Sequence, residues 1–216
     1  MIVLSILLAF AVDAWWTDRG EQMLARAYIQ DLSGDLVSDS SAHALWSGLV
    51  DNKISAVELL LADLNGTGDR LSAAEALTAL NTAALVPTLQ LSDATYRDLV
   101  GSGNLRILSP DDRRSVVRYY TATAGVDRAL SLYERQGKPP FTGLIPGRIR
   151  GRGPAECSED PLNCTEDAEL GAVDAWRTRP TIREELQLER GNAQLARQHL
   201  DALAQAMAEA RVALGR

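Results

Sequence analysis

The sequence predicts an all-α protein, and three observations carry that prediction. No stretch of the 216 residues alternates apolar and polar side chains with the period of two that a half-buried strand requires. Apolar side chains instead recur every three or four positions, most regularly at Ala193, Ala196, Leu200, Leu203, Met207, Ala210 and Leu214. Cap and stop residues bracket these stretches at helical distances. The expected architecture is an N-terminal membrane anchor helix leading into a long-helix antiparallel bundle with one long irregular loop. Its expected parts are an anchor over 1–17, a helical bundle over 18–136, an irregular excursion over 137–180 and a terminal helix over 181–216.

At the N-terminus, Ile2 to Val12 form an unbroken apolar run, extended weakly past Asp13 by Ala14, Trp15 and Trp16. Fifteen helical residues reach roughly 22 Å, against about 30 Å of bilayer hydrocarbon. Two readings compete. The run is either the end of a longer anchor, or the apolar core of a signal peptide. No Lys or Arg precedes it, as a secretory signal normally requires. Trp15 and Trp16 also sit where an interfacial aromatic belt belongs, so the anchor reading is preferred.

From Asp18 to Asp63 there is no proline, and Gly34 and Gly48 are the two candidate breaks in a long helix. Its earlier part steps by four through Leu24, Tyr28, Leu32 and Leu36. Its later part predicts a seam at Ala42, Leu45, Leu49, Ala56 and Leu59, with Asn52 at the missing step. Asn65-Gly66-Thr67-Gly68 ends the helix. Ser72 and Glu75 then spell a capping box for a helix to about Leu85, stopped by Pro87. Ser92 or Asp93 caps a short helix that ends at Gly101-Ser102-Gly103. Ser109-Pro110 starts another, expected to reach about Gln136, with Asp111 and Asp112 at its positive end.

Residues 137–180 differ in kind. They hold six of the eight prolines and both cysteines, and predict an irregular excursion with one short helix near 168–177. Cys157 and Cys164 are a candidate disulfide if this region lies outside the cytoplasm, and two free thiols if it does not. The terminal helix should start near Thr181.

Charge excludes some functions. With 29 acidic and 22 basic side chains, the net charge of −7 disfavours general nucleic-acid binding, which needs surplus Lys and Arg. The basic run Gly147-Arg148-Ile149-Arg150-Gly151-Arg152-Gly153 has no aromatic for base stacking, and seven acids follow it. Residues 17–64 carry eight acids and three bases, whereas 104–153 carry ten bases and four acids. Opposite faces of a bundle can match such blocks, and solvated faces explain them equally.

Chemical motifs are mostly missing. Asp63 to Glu75 resembles a calcium loop until its spacing is counted: the closing Glu falls at position thirteen rather than twelve, and position eight is not apolar. There is no phosphate-binding Gly-rich loop, nucleophile elbow or paired-His zinc motif. His43 and His199 read as partly exposed helix residues. No catalytic residue, cofactor or metal ligand is assigned, and the expected protein is not an enzyme.

Two passages carry a resemblance. Phe10-Ala11-Val12-Asp13-Ala14-Trp15-Trp16-Thr17-Asp18-Arg19, then Ala27-Tyr28-Ile29-Gln30-Asp31-Leu32 and Asp35-Leu36, form the first. Thr95-Tyr96-Arg97-Asp98-Leu99, Ser102-Gly103-Asn104-Leu105-Arg106-Ile107-Leu108 and Arg118-Tyr119-Tyr120 form the second. Together they resemble an uncharacterised family of bacterial single-pass membrane-anchored helical proteins. Its pattern is an anchor ending in Asn/Asp-x-Trp, a central Ser-Gly-x-Leu and paired tyrosines. The resemblance covers about three quarters of the chain and leaves out 137–180. It implies a membrane-anchored helical protein and supplies no catalytic residue; with the cysteine pair, it leads to the expectation of a bacterial inner-membrane protein whose helical domain is periplasmic. Trp15, Trp16, Ser102, Gly103, Leu105, Tyr119 and Tyr120 read as its structural signature.

The expected partners are the lipid bilayer, through the N-terminal helix, and either a second copy of the chain or an envelope protein. No nucleic acid is expected. The alternative is an envelope ligand-binding module that uses 137–180 as its recognition loop.

Overall fold

The computed structural model describes residues 2–85, 89–136, 173 and 175–215, and every regular element among them is helical. In chain order these are α1 (Ile2–Asn65), α2 (Ala73–Ala83), α3 (Ala94–Gly101), a 3-10 turn (Asn104–Ile107), α4 (Pro110–Gln136) and α5 (Ile182–Leu214).

Local signals set most of these boundaries. α1 runs unbroken through Gly34 and Gly48, the two expected breaks. A side chain added at either would meet nothing within 4 Å, so neither glycine serves a close approach. A lone glycine costs a helix only about 1 kcal/mol relative to alanine, too little to end one this long. The reversal comes instead at Gly66, whose φ of +65° is the left-handed conformation that side chains resist. Ser72 caps α2 as expected: its hydroxyl accepts from the Glu75 N–H, and the Glu75 carboxylate returns to the Ser72 N–H at 2.9 Å. At α4, Ser109 Oγ accepts from the Asp112 N–H at 3.1 Å, ahead of Pro110.

Asp93 holds the cap position of α3, but its side chain does not cap. It pairs with Arg97 at 2.5 Å. Gly103, at φ +73°, turns the chain from α3 into the 3-10 turn.

The chain divides into two compact units. One comprises Met1–His43, Gln90–Ala124 and Ala202–Arg216, and the other Ala44–Leu89 and Gly125–Asp201.

Within the first unit the buried side chains include Tyr28, Leu32 and Leu36 of α1, Leu99 of α3, and Val116, Tyr119 and Tyr120 of α4. Leu203, Met207, Ala210 and Leu214 of α5 are buried there too. The step-by-four pattern of α1 holds from Tyr28 but not at Leu24, which is exposed. Leu108 is buried, with Leu105 and Ile107 half-buried beside it.

The second unit has a core of Val57, Leu60 and Leu61 from α1, Ala76, Leu77, Leu80 and Ala83 from α2, and Leu186 from α5. Val173 and Trp176 complete it; residues 175–178 are helical and overlap the end of the expected short helix near 168–177, and Trp176 is the largest fully buried side chain. Moving along α5, Arg183 donates to the Leu64 carbonyl oxygen at 2.6 Å, Glu189 faces Lys53, and Arg197 pairs with Asp51 at 2.8 Å.

Here the expected α1 seam is corrected. Ala56 is buried as expected and Ala42 and Leu49 are half-buried, but Leu45, Asn52 and Leu59 are exposed, while Val50, Lys53, Val57 and Leu60 are buried. The buried face is turned by roughly a third of the helix circumference, at 100° per residue. Apolar spacing misses it because a lysine occupies its centre. The α5 seam is borne out at all seven positions.

No helix among the described residues is long and apolar enough to cross a membrane.

Candidate functional site

Three places in the fold gather polar or unusually exposed groups.

The first is an acid–tyrosine cluster in the first unit. α1 presents Asp35 and Asp39 one turn apart. Ser92, just before α3, donates its N–H to Asp39 Oδ1 at 2.9 Å and its hydroxyl to Asp35 Oδ1 at 2.8 Å. Tyr119 of α4 donates its phenol to Asp39 Oδ2. Tyr120 stacks on Tyr96, with ring centroids 4.2 Å apart and planes 11° off parallel, and meets Tyr119 edge-on at 4.6 Å. Burial pushes the Asp39 carboxyl up, more than the hydrogen bonds from Tyr119 and Ser92 pull it down. Burial, followed by the neighbouring aspartates, holds both tyrosines far above the usual phenol range.

Asp39 is saturated within this cluster, whereas Asp35 Oδ2 and the Tyr120 hydroxyl are buried without a hydrogen-bond partner among the described residues. Both Asp39 oxygens accept from protein donors, so neither is directed at a substrate. Phenols held neutral serve as hydrogen-bond donors rather than as nucleophiles. A second link lies nearby: Tyr28 donates to Asp98 Oδ2 at 2.5 Å and accepts from Asn104 Nδ2 at 3.1 Å.

The second place is the Lys53 node in the second unit. The ammonium donates to the Ala83 carbonyl oxygen at 2.7 Å and to the Leu85 carbonyl oxygen at 2.6 Å, and pairs with Glu189. Lys53 is 1% exposed and Glu189 5%. A helix leaves its last carbonyls without partners, and here a lysine from another helix supplies the donor at the end of α2. Burial drags the Lys53 amine below its usual range, with Glu189 opposing. The three oxygens occupy the ammonium.

Also in the second unit, Asp63 at the end of α1 accepts from the Leu71 N–H at 2.9 Å and from Arg177 Nε at 2.9 Å. Arg177 also donates to the Leu71 carbonyl oxygen at 2.7 Å. The loop that resembles a calcium site is thus closed by a guanidinium. Among the described residues no group of three or more His, Cys, Asp or Glu could hold a metal ion.

The third place is the exposed surface of α1. Each residue from Ser5 to Gly20 is exposed, including Ile6, Leu7, Leu8, Phe10, Val12, Trp15 and Trp16. Trp15 and Trp16 meet edge-on at 5.2 Å, and the Arg19 guanidinium lies 5.6 Å from the Trp15 ring centre. Farther along, Leu45 and Leu59 are also exposed.

The sequence-predicted residues therefore fall into separate groups. Trp15 and Trp16 lie on the exposed end of α1. Ser102 ends α3, its hydroxyl donating to the Asp98 carbonyl oxygen at 2.7 Å, and Gly103 supplies the turn. Leu105 is half-buried. Tyr119 and Tyr120 are both buried, in the acid–tyrosine cluster. Cys157, Cys164 and the basic run at 147–153 lie outside the described residues. His43 and His199 are half-buried, as expected, on α1 and α5.

Sequence reasoning missed Asp39, Lys53 and Glu189. The only signal for Lys53 was its position among apolar neighbours, between Val50 and Val57 at helical spacing.

Comparison with protein-family models, curated proteins and solved structures finds no match for this chain.

Proposed function

We propose that this is a membrane-anchored, non-enzymatic protein whose helical bundle acts through protein–protein or self-association. The observation that carries the reading is the sixteen-residue exposed stretch of α1 from Ser5 to Gly20. Its exposed Ile6, Leu7, Leu8, Phe10, Val12, Trp15 and Trp16 call for apolar surroundings, which the other described residues do not supply. A bilayer supplies such surroundings, and Trp15, Trp16 and Arg19 then fall at the level of the headgroups. The resemblance to single-pass anchored proteins points the same way.

The order of contacts along α5 supports an antiparallel bundle, since Arg183, Glu189 and Arg197 meet progressively earlier positions of α1. The saturated Asp39 carboxylate and Lys53 ammonium favour a scaffold over a reaction centre. In this reading the bundle lies on the periplasmic side of a bacterial inner membrane, an oxidising compartment.

Vesicle flotation tests the anchor. Full-length protein mixed with phosphatidylethanolamine–phosphatidylglycerol vesicles should float with the lipid and stay there in high salt. A Leu7→Asp, Leu8→Asp variant should remain in the aqueous fraction with unchanged helicity. Wild-type protein that fails to float overturns the reading.

A further inference from the structure

We infer that α1 carries a self-pairing face, formed by Leu45, Leu49, Asn52 and Leu59, on which a second copy of this chain docks in parallel and in register. The inference rests on the proposed membrane anchor and names the partner and face of the association. These residues step 4, 3 and 7 along one helix, the repeat that keeps a stripe facing a partner helix. Yet the fold does not bury them. Leu45 is 62% exposed and Leu59 46% exposed, because the core of this unit uses the Val50–Lys53–Val57 face instead. Beside the stripe, Ala56 and Leu59 of α1 and Ala74, Thr78 and Thr82 of α2 line an open groove of about 700 Å³.

Three features favour a second copy as the occupant. Leu45, Leu49, Asn52 and Leu59 are themselves uncharged, so two such stripes meet without the repulsion expected of an acidic chain. Asn52 lies within the stripe, and an in-register copy offers it an identical amide, which is both donor and acceptor. Finally, two α1 helices anchored by their N-termini in one bilayer start from the same level and point the same way. That constraint selects parallel, in-register pairing. The stripe from Leu45 to Leu59 is about 21 Å long, short for a standard interface. Pairing therefore depends on the high effective concentration within the membrane.

Oxidative cross-linking of full-length protein in vesicles tests this, with flotation read on the same samples. Asn52→Cys should give a disulfide-linked dimer at least tenfold more readily than Glu58→Cys, an exposed position on another face. Leu45→Glu with Leu59→Glu should remove the Asn52→Cys dimer while leaving helicity and flotation unchanged. Equal cross-linking at positions 52 and 58 overturns the pairing, as does a dimer that survives the double substitution. So does an intramolecular disulfide from position 52 to Cys157 or Cys164, which assigns the face to the chain's own excursion. Flotation without a position-52 dimer defeats the pairing alone. Protein that does not float defeats the anchor, and membrane-guided pairing with it.

Discussion

Lys53 of α1 and Glu189 of α5 form an ion pair inside the core of the second unit, and the same ammonium donates to the Ala83 and Leu85 carbonyl oxygens. Three separate segments thus meet at one cation. Glu189→Gln leaves that cation buried without its counter-charge, and Lys53→Met leaves the carboxylate so. Each change should cost about 3–5 kcal/mol, as removal of one partner from a buried pair does. The double variant Lys53→Met, Glu189→Leu should recover part of that loss, since no unpaired charge stays buried. The Ala83 and Leu85 carbonyls still lose their donor, so recovery is incomplete. Urea unfolding of the three variants reads the outcome. An additive double variant would mean that the two residues do not act as a pair.

The same node predicts a response to alkali. Burial lowers the Lys53 amine from its ordinary 10.5, so between the lowered value and 10.5 the unfolded chain holds more protons than the folded one. Stability should rise with pH across that window, and the rise should vanish in Lys53→Met. Unfolding midpoints of both proteins from pH 7 to 10 check it.

Two aspartates should respond to acid in opposite senses. In Asp63 burial is outweighed by the Arg177 and Leu71 hydrogen bonds and the nearby arginine charges, which hold its carboxyl below 3.8. Its contribution is present above 3.8 and is lost as pH falls through the lower folded value. In Asp39 burial wins, and the carboxyl sits above 3.8. Between 3.8 and that raised value the folded chain holds the extra proton, so this contribution falls as pH rises. Asp63→Asn should therefore flatten the acid loss of stability, and Asp39→Asn should steepen it. Thermal melts from pH 3 to 6 decide. Matching profiles for the two variants would contradict the assignment.

Glycine substitutions separate a needed backbone conformation from an incidental one. Gly34 is helical with open space around it, so Gly34→Ala should stabilise the protein by roughly 0.5–1 kcal/mol. Gly103 has φ +73° in the turn after α3. Gly103→Ala should destabilise it by about 1–2 kcal/mol, although space for the methyl group is available. Denaturant midpoints for the pair test the contrast.

The sequence by itself determined the helical class and most helix boundaries, because those depend on neighbours a few residues apart. Ser72 reads Glu75, Ser109 reads Asp112, and Gly66 and Gly103 reverse the chain without help from distant segments. The α5 seam was equally legible, since its buried positions are all apolar. Only the tertiary structure decided which face of α1 is core. Apolar spacing selected Leu45, Asn52 and Leu59, but a buried lysine is tolerated once Glu189 and two carbonyls 30 or more residues away surround it. The acid–tyrosine cluster was hidden for the same reason. Asp39 and Tyr119 are buried because packing brings a matching donor or acceptor to each, with the half-buried Ser92 supplying the Asp39 carboxylate's second donor.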